Sequence, residues 1–273
     1  EGTGSKYTQT GGTANIGTIT NIYDVSLGTG DLTVKANIGN LVNNGTVNAN
    51  ANNLTGTITN LNSLVLNGGT LSNEITGTGT TNIIGTVINN VAISQDVNVD
   101  TTGALTVNAN IGNLTNNGSV NANTTNLTGT INNSGTLNLS GTLNKEILGN
   151  GTTKIVGDSF TMLDGAVVKG VLDINNQTLN VLATNTTNMF NDVNINSGTL
   201  NLINNGINNL SANSFNMNGN VNLLLDADLM NYSMDRLPST TVASGLITVK
   251  GINLLSDSKS EKVYIPFAYD SFK

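Results

Sequence analysis

The side chains best placed to do chemistry in this chain are its acids, because it contains neither histidine nor cysteine. Triads built on an imidazole are therefore excluded, and so are zinc sites of the usual His/Cys kind. Cleavage of a polysaccharide needs no more than two suitably spaced carboxyl groups, so the acid pairs come first. Asp96 and Asp100 stand four apart, which on one strand places them on the same face but roughly 13 Å from each other. Asp226 and Asp228 share a face at closer range and could hold a hard cation such as Ca²⁺. The plainer alternative for that pair is a solvated strand face, or an ion pair with Arg236, the only arginine. Lys145-Glu146 matches Asn73-Glu74 and reads as surface charge at a corner. Tyr232, Phe267, Tyr269 and Phe272 could form a binding patch, but filling the core of a terminal cap is the simpler use for them. No residue is assigned as catalytic, and no cofactor is expected.

Any such site must be held by a repeat. Leu105 to Ile131, LTVNANIGNLTNNGSVNANTTNLTGTI, restates Leu32 to Ile58, LTVKANIGNLVNNGTVNANANNLTGTI, 73 residues later. Leu32, Val34, Ile38, Leu41, Val47, Leu54 and Ile58 return unchanged as Leu105, Val107, Ile111, Leu114, Val120, Leu127 and Ile131. These fourteen are the expected core of the repeat. Lys35 becomes Asn108, Val42 becomes Thr115 and Ala51 becomes Thr124, so these variable positions are expected to face water. Leu-Thr-Val alternates with period 2, the mark of a half-buried strand. The full duplication spans 32–85 and 105–157, with a one-residue slip that places a loop between about Asn60 and Leu66, where a turn absorbs it.

Gly-Thr or Gly-Ser followed by an apolar residue recurs within each copy, and Asn-Gly pairs recur along the chain. In isolation Asn-Gly signals a β-hairpin. Duplication of whole units favours the corners of a solenoid, whose repeats bury their apolar faces only by stacking. Three or four coils in 73 residues give about 18 to 24 residues each, and Asn at one corner of successive coils can stack its amide on the next. The expected fold is thus all-β, a parallel β-helix or β-solenoid. Residues 1–31 form a leading coil or frayed edge, 32–225 the repeats, and 226–273 a distinct C-terminal capping or transition segment, which holds 11 of the 27 charged residues and both prolines.

With a net charge of −7 the chain has no basic stripe for nucleic acid, and no apolar run long enough to span a bilayer. It starts with neither a start methionine nor a signal peptide, and reads as an interior piece of a longer, exported polypeptide.

The Asn/Thr/Gly repeats, followed by Leu224-Leu225-Asp226-Ala227-Asp228-Leu229, Met234-Asp235-Arg236-Leu237 and the Gly245–Asp257 stretch GLITVKGINLLSD, resemble passenger domains of bacterial autotransporters. The resemblance implies a right-handed helix, and display on the bacterial surface through a C-terminal outer-membrane barrel that is not among these residues. With no convergent acids to set against it, the expected function is a non-catalytic structural or adhesive rod with a host or bacterial surface ligand. Two alternatives stand beside it: a β-helix enzyme acting on polysaccharide, and an extracellular fibre subunit that self-associates through coil ends or edges.

Overall fold

The computed structural model describes residues 6–16, 22–186, 188–238 and 244–256. Parallel strands stack into a β-solenoid of about 11 turns, in two compact units, 1–137 and 138–273. Among the described residues the one antiparallel pairing joins Ala227–Asp228 to Ser233–Met234, so the Asn-Gly pairs are corners and not hairpins. No helix among these residues is long and apolar enough to cross a membrane.

In unit 1 one stack runs through Lys6–Gln9, Ile22–Leu27, Ile38–Asn43, Ile58–Asn60 and Ile75–Thr76. A second runs from Thr13–Ile16 through Asp31–Val34, Thr46–Ala49, Ser63–Leu66, Thr80–Ile83, Asp96–Val99 and Leu114–Asn116 to Ile131–Asn133. Gly69–Leu71, Thr86–Asn89, Ala104–Val107 and Ser119–Asn123 form a third. Alternate residues of each strand point inward, and the fourteen apolar positions shared by the two copies are all buried, at 0–3% exposure. Each contributes on the order of 1.5–3 kcal/mol by leaving water.

Asp31 pairs with Thr46, Thr80 with Asp96 and Thr13 with Asp31, so the turns of unit 1 fall at or below the short end of the expected coil length. The short turns leave the two copies out of phase. Four turns carry Leu41 through Ile58, Ile75 and Ile93 to Ile111, whereas its sequence twin, Leu114, lies further along the chain. The duplicated strand Ile38–Asn43 accordingly lies in the first stack and its twin Leu114–Asn116 in the second. The same side chains pack at two places around the coil, which is possible because each face makes the same demand: an apolar residue at every second position.

Two expectations about the repeat need correction. The one-residue slip does not fall between Asn60 and Leu66, most of which is strand Ser63–Leu66. It falls at the corner Asn67-Gly68-Gly69, where both glycines have positive φ (146° and 95°); the other copy turns the same corner with Gly141 alone (φ 97°). Ala51 and Thr124, which differ between the copies, do not face water: they are 1% and 6% exposed. Each opens a short 3₁₀ turn whose preceding Asn, Asn50 or Asn123, accepts a backbone N–H in the turn, and this folds the next side chain inward.

Asparagine also enters the interior. Asn43 donates to Asn60 Oδ1 (2.7 Å) and to the Ser63 carbonyl (2.8 Å), and accepts the Gly45 N–H (2.9 Å). Every one of these bonds returns in the second copy: Asn116 donates to Asn133 Oδ1 (2.7 Å) and the Thr136 carbonyl (3.0 Å), and accepts from Gly118 (3.1 Å). The amides satisfy backbone groups that a corner has turned away from the strand ladder. Below Asn60 the ladder meets Gly77, at φ 102°, where a Cβ would collide with the Asn60 carbonyl oxygen. The longer Gln95, two turns on from Asn60, bridges that rung, its Oε1 accepting from Asn60 Nδ2 at 2.6 Å.

In unit 2 the strands lengthen: Thr152–Met162, Val167–Asn175, Thr178–Val181, Phe190–Asn201, Ser214–Asp228 and Ser244–Ser256. The turns lengthen with them, from the pairing of Thr152 with Val171 to that of Asp228 with Ser256, and register shifts take up the difference. Ser244–Ser256 adds to Ser214–Asp228 in parallel. Tyr232 is 61% exposed, at positive φ in the turn before Ser233–Met234, and does not fill a core. Phe267, Tyr269 and Phe272 lie outside the described residues, as does all of the expected cap beyond Ser256.

Candidate functional site

The acid pair at the end of the Ser214–Asp228 strand departs most from expectation. Leu223, Leu225 and Ala227 point into the core, so Asp226 starts on the opposite face, yet it is fully buried. The turn Asn204-Asn205-Gly206 folds over it, with Asn205 at φ 66°, a conformation asparagine tolerates better than most residues. Asp226 Oδ2 accepts the backbone N–H groups of Asn204 (2.7 Å), Asn205 (2.8 Å) and Gly206 (3.3 Å), and Oδ1 accepts from Asn253 Nδ2 (2.6 Å). Asp235, 1% exposed, sits behind it. Its Oδ1 accepts the Asn208 N–H (2.7 Å), and its Oδ2 the N–H of Asp226 itself (2.6 Å).

The expected solvated face and Arg236 ion pair are therefore not what holds Asp226. Arg236 is exposed, and its backbone pairs with Asn208 and Leu210. Successive N–H groups converging on a carboxylate form a nest for negative charge. A cation needs oxygens where this arrangement supplies donors. Asp228 is occupied as well: its oxygens accept from Met230 (3.0 Å), Asn231 (3.2 Å), the Asn231 side chain (2.6 Å) and the Ser256 hydroxyl. That hydroxyl, followed by the Asn231 side chain, holds its pKa below the ordinary carboxylate value. Among the described residues no three His, Cys, Asp or Glu side chains gather as a metal site would require.

Asp235 behaves in the opposite way. Burial pushes its pKa up to about 6, against the lowering effect of the two backbone N–H bonds, and the nearby Asp226 charge raises it further. An acid whose pKa is raised by folding binds its proton more tightly in the native state. Its contribution to stability is complete below the ordinary value of 3.8 and is lost as pH rises through about 6. Between pH 4 and 7, unit 2 of the wild type is expected to lose resistance to urea as pH rises, and Asp235→Asn to flatten that slope; equal slopes in the two proteins would refute the assignment. Asp164 works in a lower window. Backbone N–H groups of Thr184 and Asn185 lower its pKa, so its contribution is present above 3.8 and lost as the solution is acidified further.

The remaining acids separate. Asp96 is exposed and accepts from Asn113 Nδ2 (2.9 Å). Glu74 and Glu146 are exposed, each just before a buried isoleucine, Ile75 or Ile147. Asp100 lies beyond the end of its strand and lines a groove of about 410 Å³ with Asn82, Ile84, Asn98, Thr115 and Asn117. Three turns build this groove. Asn82, Asn98 and Thr115 are register partners on successive strands; Ile84, Asp100 and Asn117 follow the ends of those same strands. Asn98 Nδ2 donates to Asn82 Oδ1 (3.1 Å), and Asn82 Nδ2 to the Ser63 hydroxyl (3.0 Å). Sequence spacing could not show this groove, because its residues meet only once successive turns of unequal length bring them into one column.

No protein-family model, no curated protein and no solved structure matches the chain.

Proposed function

We propose that this chain is a non-catalytic structural and adhesive rod, a passenger segment of the autotransporter kind displayed on a bacterial surface. The observation that carries the reading is the repeated interior. The duplication reproduces apolar positions and amide–amide bonds alike at a new place around the coil. Such conservation of stacking serves length and rigidity, and leaves the outer face free to vary. The large groove lies on that outer face and carries one carboxylate, Asp100, where acid–base cleavage of a glycoside uses two.

Negative-stain electron microscopy of the isolated chain is expected to show discrete short rods, and proteolysis of intact producing cells to remove the segment from their surface. Compact particles, or protection from external protease, would overturn the proposal. A fibre subunit is the second reading, favoured by the apolar residues that Ser244–Ser256 exposes: Val249, Ile252 and Leu254, at 44–56%. Filaments in place of discrete rods would select it.

A further inference from the structure

We infer that the groove of Asn82, Ile84, Asn98, Asp100, Thr115 and Asn117 binds an uncharged oligosaccharide laid along the stacking direction. The inference deepens the adhesive reading and rests on it. Its volume, about 410 Å³, falls within the usual range for small-molecule sites. Its open hydrogen-bonding capacity lies at one end. The amide chain from Ser63 through Asn82 ends at Asn98, whose Oδ1 accepts nothing among the described residues. One turn further, the Thr115 hydroxyl and the Asn117 side-chain amide make no hydrogen bond among the described residues, and Asp100 Oδ2 is also open.

The repeat supplies an internal comparison. Asn44, the sequence twin of Asn117, spends its amide on the Leu27 carbonyl (3.1 Å), and Val42 stands where the groove has Thr115. Asn117 and Thr115 thus differ from their twins in having polar groups to offer. Amides and hydroxyls both donate and accept, as sugar hydroxyls do. Ile84, 40% exposed at one end, gives an apolar surface for the C–H face of a ring. No cation lines the groove and one carboxylate does, which disfavours acidic sugars and phosphates. Successive rungs repeat at about 4.8 Å, comparable to the advance per ring in an extended glycan.

The test titrates cellohexaose, mannohexaose and a hexamer of galacturonic acid into ¹⁵N-labelled chain. A neutral hexamer is expected to move the side-chain amide signals of Asn98 and Asn117. Asn117→Ala and Thr115→Val should each weaken it at least tenfold, while Lys35→Ala, exposed outside the groove, leaves binding unchanged. Unmoved amides with both neutral hexamers, tighter binding of the acidic one, or full affinity in both groove variants would overturn the inference. Rods in the microscope alongside any of these results would leave the structural reading standing; loss of rods would remove that reading separately.

Discussion

Asp226→Ala is expected to be among the most damaging single substitutions in unit 2, costing about 3 kcal/mol of its stability. The estimate rests on what the carboxylate holds. Three backbone N–H groups and the Asn253 amide converge on it, and hydrogen bonds to a charged group are each worth more than neutral ones. They do not simply add, because Asn204 and Gly206 are half-exposed and their N–H groups can return to water. Asp226→Asn keeps the shape and one acceptor, so it should lose clearly less than alanine. Asp235→Ala removes a carboxylate that is itself costly to bury, which offsets part of the bonds it loses. The order Asp226→Ala, then Asp235→Ala, then Asp226→Asn in falling severity is read from urea midpoints and from hydrogen exchange of Asn204 to Gly206. An Asp226→Ala protein with wild-type midpoint and slow exchange at that turn would show that the clasp contributes nothing.

This site also marks how far the sequence can be read. The fold is legible because its signal is repetition: Leu41 and Leu114 cannot both be apolar by accident when six further pairs agree. The phase of the two copies is not legible. The period of the duplication specifies no coil length, and corners such as Asn67-Gly68-Gly69 add or drop a residue without leaving an apolar trace. Asp226 resembles a solvated strand residue because period 2 places it outward. What buries it is the Asn204–Gly206 turn of the preceding coil, held by bonds that no local pattern announces. The interior amides are open to view in one respect, since Asn43 and Asn60 return as Asn116 and Asn133. In so Asn-rich a chain their constancy reads as corner chemistry, and only register shows which asparagines turn inward. Thr153 sharpens the point. It repeats Thr81, but Thr81 donates to Gln95 (3.3 Å) while the equally buried Thr153 hydroxyl has no partner among the described residues.

Asn60→Leu should destabilise unit 1 by about 3 kcal/mol, more than trimming a core methyl such as Ile58→Val, at about 1 kcal/mol. Leucine has the same branched arrangement of side-chain heavy atoms and is the larger of the two, so a cavity is not the cause. Asn60 accepts from Asn43 (2.7 Å) and donates to Gln95 Oε1 (2.6 Å) and the Thr80 carbonyl (3.1 Å), and the three side chains are buried. Leucine takes the shortest bond from each: Asn43 keeps only the Ser63 carbonyl and Gln95 Oε1 only the longer Thr81 bond (3.3 Å), and a buried polar group short of a partner costs more than a made bond returns. The same asymmetry predicts the double variant. With Gln95→Leu added, the buried acceptor that lost its shortest bond is gone and the rung at Gly77 becomes an apolar contact, so Asn60→Leu/Gln95→Leu should be more stable than Asn60→Leu alone. Simple additivity predicts the reverse, because Gln95 also donates to the Thr76 carbonyl (3.1 Å) and its removal alone is damaging. Urea unfolding of the four proteins in this cycle decides between the two. A double variant less stable than Asn60→Leu would mean that the interior amides act as separate struts. A recovery would show that they act as one connected ladder, stable when complete or wholly replaced and weakest when half removed.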